Sequence, residues 1–78
     1  MKIAKVLINT SVKSLNKVYD YLVPEKMEQD IKIGKRVLVS FGKGRSDEEA
    51  IIVKIEEKTA EELKSYNYKL KEIIEILD

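Results

Sequence analysis

Residues Ile31 to Ile55, IKIGKRVLVSFGKGRSDEEAIIVKI, decide the fold. Two short apolar runs, Val37-Leu38-Val39 and Ile51-Ile52-Val53, are rich in β-branched residues, as strands are. Between them lie Gly42, Gly44 and a charged turn, and Gly34 precedes the first run, where a turn can require positive φ. The reading is two antiparallel strands, Arg36 to Phe41 and Glu49 to Glu56, joined by a glycine-bearing connection of about eight residues. A lone hairpin is marginal in water, so the rest of the chain must pack on this ribbon.

Working outward, Lys2 to Ile8 reads as a first strand, and residues 9–16 as a polar loop. Lys17-Val18-Tyr19-Asp20-Tyr21-Leu22-Val23-Pro24 reads as a second strand stopped by its proline. Asp20 is out of place in that aromatic and aliphatic run. It is either an edge-strand acid facing water or a hydrogen-bond acceptor placed beside an aromatic plate, the chemistry of a nucleotide pocket. Glu25 to Asp30 reads as a loop or single helical turn. Thr59-Ala60-Glu61-Glu62 matches a capped helix start, with Thr59 as N-cap and Glu62 as its reciprocal partner, in a short helix ending near Tyr66-Asn67. Residues 68–78 fit a helical face or a buried strand, and their isoleucines favour the strand. The expected core is Ile3, Val6, Ile8, Leu22, Val37, Val39, Ile51, Val53, Ile74 and Ile76. The fold class that results is α/β and β-rich: one small domain with a twisted, partly barrel-like, mainly antiparallel sheet and one short helix.

Composition bounds the function. Seventy-eight residues make a single domain. Cysteine and histidine are both absent, which removes disulfides, thiolate chemistry and the commonest metal ligand and general base. No apolar run approaches the ~20 residues of a membrane span, so a soluble, cytoplasmic, monomeric protein with no membrane partner is expected. The net charge of +1 hides an asymmetry: residues 1–45 carry ten Lys or Arg against four acids, and residues 46–78 carry five Lys against ten acids. A basic half can attract phosphate, although a mixed-charge solvated surface has the same composition. Gly42-Lys43-Gly44-Arg45 lacks the spacing and the Ser or Thr of a phosphate-cradling nucleotide-hydrolysis loop. Lys17, Lys43 and Arg45 are candidate contacts to a nucleic-acid backbone.

Four motifs in order carry a resemblance: Tyr19-Asp20-Tyr21-Leu22-Val23-Pro24; Gly34-x-Arg36-Val37-x-Val39-x-Phe41-Gly42-Lys43; the Ile51 to Val53 strand; and the Leu70 to Asp78 ending. Together they resemble the N-terminal 3′-end DNA-binding domain of primosomal protein N′ (PriA), the family of helicases that restart stalled bacterial replication forks. The resemblance implies that residues 1–78 are one such domain, the N-terminal part of a larger helicase. It implies a pocket for the terminal nucleotide of the nascent leading strand, with Tyr19 as the aromatic beside it, Asp20 as its acid, Gly42 as the glycine close to the base and Lys71 as the basic residue, Lys69 competing for that role. The partners implied are a fork with a free 3′ end and, for the full protein, primosome and single-strand-binding proteins. The family's ATP, Mg and Zn sites lie elsewhere in the full protein, so this domain by itself needs no cofactor and is no enzyme. The sequence departs from the family pattern at Ser40, where proline is frequent, at Ala50, where glycine is frequent, and at Asp47, Glu48 and Glu49, which would repel a phosphate backbone. An SH3-like or KOW-type barrel binding RNA or protein also fits Ile31 to Ile55, but has no use for Asp20. A protein-interaction domain without a pocket is a further alternative.

Overall fold

The β-branched runs form strands at the expected places. A computed structural model of the chain describes residues 1–8, 18–41, 46–66 and 69–78, leaving aside the side chain of Ser46. Strand β1 spans Lys2–Ile8, β2 Val18–Leu22, β3 Arg36–Phe41, β4 Ser46–Glu57 and β5 Glu75–Ile76, with helix α1 at Ala60–Leu63. The five strands form one sheet in the order β2-β1-β4-β3-β5, and every strand pair is antiparallel. No helix among the described residues is long and apolar enough to cross a membrane.

The central hairpin differs from its expected form in length. β4 begins at Ser46, and Phe41 pairs with it, so four positions separate the strands in place of about eight. Asp47, Glu48 and Glu49 have poor strand propensity, but the ladder to Ser40, Val39 and Leu38 carries them into β4. Gly34 adopts φ +94°, as a turn ahead of β3 requires, and its N–H donates to the Ile52 carbonyl at 2.8 Å.

A bulge sets the core. Along β1, Lys5 pairs with Lys54 but Val6 pairs with Ile52, so Val53 is the extra residue. Ile52 and Ile55 are three residues apart and would face opposite sides of a regular strand. The bulge returns both to one face, opposite Val6 and Ala4. Ile3, Val6, Val37, Val39 and Ile52 are fully buried, each contributing about 1.5–3 kcal/mol of apolar burial. Ala4, Ile8, Tyr21, Val23, Ile31, Ala50 and Ile73 complete the buried set. Three expected core positions are corrected: Ile51 and Val53 are each 41% exposed and Ile74 is 43% exposed. Ile51 is out of phase with Ala50 and Ile52, and Val53 is the bulge residue. Leu22 and Ile76 are half-buried.

The C-terminal segment is a strand only over the two residues of β5, because its backbone divides its bonds between two neighbours. Lys71 accepts from the Leu22 N–H at 2.8 Å, and the Ile73 N–H donates to Leu22 at 3.0 Å. Beyond that point, the N–H groups of Ile74 and Leu77 donate to Leu38 and Arg36, each at 2.9 Å. The segment thus spans from the β2 edge to the β3 edge of a curled sheet, which gives the partly barrel-like form. Arg36 adds a side-chain latch, its backbone N–H and guanidinium both donating to the Asp78 carboxylate at 2.8–3.0 Å. Helix α1 has the expected reciprocal cap between Thr59 and Glu62, but is only four residues long and buries none of them. So short a helix has little intrinsic stability.

Candidate nucleic-acid interface

The curl of the sheet brings the β2 edge towards the end of β3 and leaves a cleft of about 350 Å³ between them. Period-two alternation puts Tyr19 and Tyr21 on the core face of β2 and Asp20 on the other. Tyr21 is buried, and its hydroxyl donates to the Ser40 carbonyl at 2.7 Å. Tyr19 stands edge-to-face on Phe41, ring centroids 5.0 Å apart. Tyr19, Asp20, Tyr21, Ser40 and Phe41 line the cleft from the sheet, and Lys69 and Lys71 line it from the C-terminal segment. A flat base can stack on such an aromatic wall, and phosphate can pair with the lysines.

Three of the four expected pocket residues, Tyr19, Asp20 and Lys71, therefore meet in one cleft, and Lys69 joins Lys71 there. The fourth, Gly42, and the candidate backbone contacts Lys17, Lys43 and Arg45, lie outside the described residues.

Asp20 has two partners that sequence reasoning missed. Lys5, its register partner on β1, donates to Oδ1 at 3.0 Å. Tyr66, 46 positions away, donates to Oδ2 at 2.6 Å. The bond to Asp20 raises the Lys5 pKa above its ordinary value; burial opposes this, and Glu56, 3.7 Å from the ammonium, adds to it. Each Asp20 oxygen accepts from one of these two donors, which fixes the orientation of the carboxylate. The signal for Lys5 was a lysine on one strand and an acid on the next, readable only once the register is known. Tyr66 left no local signal.

A second cleft, of about 320 Å³, is lined by Met1, Leu22, Val23, Pro24 and three acids, Glu25, Glu28 and Glu72. The adjacent residues Lys71 and Glu72 thus line different clefts, one basic and one acidic. A phosphate backbone favours the first and is repelled by the second.

Residues 5–78 match the family described as the PriA 3′ DNA-binding domain (3′BD). The replication restart protein PriA of Bacillus subtilis is 38% identical over 42 residues, covering 54% of this chain and 5% of that protein. The chain therefore belongs to the PriA 3′ DNA-binding domain family, a family of DNA-binding modules.

Proposed function

We propose that this domain reads the 3′ end of a DNA strand, and at a stalled replication fork the end of the nascent leading strand, within primosome assembly and replication restart. The observation that supports this most is that one cleft is lined by the Tyr19–Phe41 ring pair, by Lys69 and Lys71, and by Asp20, whose carboxylate is oriented by two donors. The terminal base stacks on the face of one ring of the Tyr19–Phe41 pair, worth about 1–3 kcal/mol per base. Lys69 and Lys71 take the last phosphates. Asp20 accepts a hydrogen bond from the terminal 3′-hydroxyl. A strand that continues has no hydroxyl hydrogen there and brings a phosphate against the acid, so it is rejected. Gly42 gives the base close access to the backbone, and Lys17, Lys43 and Arg45 add non-specific phosphate contacts.

The mechanism is recognition and not catalysis. The domain works as the N-terminal part of a larger, cytoplasmic helicase, whose ATP, Mg and Zn chemistry and whose primosome and single-strand-binding partners belong to the whole protein. Affinity is modest, since few phosphates are touched.

Fluorescence anisotropy with two short single-stranded DNAs tests the proposal, one ending in a free 3′-hydroxyl and its twin in a 3′-phosphate, each at two salt concentrations. Preference for the free hydroxyl, lost in Asp20→Ala, supports it. Equal and steeply salt-dependent binding to both would reduce the cleft to generic phosphate attraction. Absence of binding to either would favour a protein-interaction domain.

A further inference from the structure

The donor on Asp20 Oδ2 is itself a hydroxyl. Tyr66 donates its O–H at 2.6 Å, the short, charge-assisted end of the range for a hydroxyl on a carboxylate. This is the same bond that a terminal 3′-hydroxyl would make. The two donors on Asp20 differ in how firmly they are held. Lys5 sits within β1, paired on both sides, to β2 and to β4. Tyr66 follows a four-residue helix with no buried residue. Elements with so little buried apolar surface open at low free-energy cost. Of the two donors, Tyr66 is the one beside the element with less buried surface.

Resting on the 3′-end reading above, we propose that Tyr66 is a positioning residue that occupies the Asp20 acceptor in the free protein and yields it to the terminal hydroxyl of bound DNA. The exchange keeps the count of hydrogen bonds to Asp20 constant, so the half-buried carboxylate is satisfied both before and after binding. Only an end that brings its own donor completes it. A dideoxy end has no hydroxyl to exchange and leaves Tyr66 in place. Competition from Tyr66 also lowers the affinity for hydroxyl-ended DNA, which keeps binding reversible.

The experiment measures anisotropy of oligonucleotides ending in a 3′-hydroxyl or a 3′-deoxy position, with the wild type and Tyr66→Phe. Removing the competing hydroxyl is expected to tighten binding of the hydroxyl-ended strand about fivefold, the net value of one hydrogen bond, and to leave the dideoxy strand unchanged. Unchanged or weaker binding of the hydroxyl-ended strand by Tyr66→Phe, with the wild-type preference intact, would overturn the exchange and leave the 3′-end reading standing. No preference in the wild type would overturn both. A readout independent of the variant's folding is fluorine NMR of the wild-type sequence carrying fluorotyrosine. The Tyr66 resonance is expected to move on adding the hydroxyl-ended strand and not the dideoxy strand; a resonance indifferent to both would overturn the exchange.

Discussion

The Tyr21 hydroxyl donates to the Ser40 carbonyl at 2.7 Å, joining two strands that are not neighbours in the sheet. β1 and β4 lie between β2 and β3 in the ladder order, so this bond crosses the hollow of the curled sheet. Both residues line the cleft, and the bond holds its two sides at a fixed separation. Tyr21→Phe keeps the buried ring and removes this donor. The expected cost is about 1 kcal/mol, or roughly 4–8 °C in Tm for a domain of this size. DNA binding should weaken more than Tm alone suggests, because the stacking wall loses its brace. Thermal denaturation and anisotropy on the same variant check this; an unchanged Tm would show that the bond is not made in solution.

The lysines of the cleft should act through charge. Lys71→Ala and Lys69→Ala are each expected to weaken binding to hydroxyl-ended and phosphate-ended strands alike. Each should lower the slope of log affinity against log salt by about 0.7, the value for one contact to single-stranded DNA. Asp20→Ala should instead change the ratio between the two ends. A salt titration of each variant separates the roles. If Lys71→Ala leaves the slope unchanged while Lys69→Ala reduces it, Lys69 alone is the phosphate contact.

Much of this site was legible before the fold was known. Asp20 is conspicuous as an acid within Val18 to Val23, and the surrounding motifs carry the family resemblance. What holds Asp20 was not legible, because Lys5 and Tyr66 lie 15 and 46 positions away and only strand register and the return of the chain after α1 bring them there. The same limit applies to the C-terminal segment. Ile73 bonds to β2 and Ile74 to β3, so consecutive residues answer to different neighbours and no periodicity can describe them. The Thr59–Glu62 cap, in contrast, was readable because its physics is confined to four residues.

The latch between Arg36 and Asp78 has a pH signature. The Arg36 backbone N–H and then its guanidinium hold the Asp78 carboxyl below its ordinary 3.8. Glu62, bonded to the backbone and hydroxyl of Thr59, is likewise held below its ordinary 4.5. For both groups the folded state binds protons less readily than the unfolded state. Their stabilisation is therefore complete above the unfolded values and is lost as pH falls through the lower folded values. Wild-type stability should decline below about pH 4.5, more steeply than in Asp78→Asn, and the gap between the two should narrow as pH falls. Urea denaturation midpoints between pH 2.5 and 6 check this. Parallel curves for the two proteins would mean that Asp78 is not engaged in the folded state.

The phase of β4 gives the sharpest test of the fold, because it assigns opposite fates to two adjacent isoleucines. Ile51-Ile52-Val53 is an unbroken apolar run, and such a run hides the phase of a strand. Register resolves it: Ile52 faces Val6 and is fully buried, while Ile51 faces Leu7 and is 41% exposed. Ile52→Ala removes three carbons from a closed core and should cost about 2–5 kcal/mol, a large part of what a domain this small can spare. Ile51→Ala removes the same atoms from a half-solvated position and should cost about 1 kcal/mol or less. Val53→Ala, at the bulge residue, should behave like Ile51→Ala, since its side chain is equally exposed. Equilibrium denaturation of the three variants decides the matter. If Ile51→Ala were the costly change, β4 would be shifted by one residue against β1, and the side chains of the central ribbon would exchange faces.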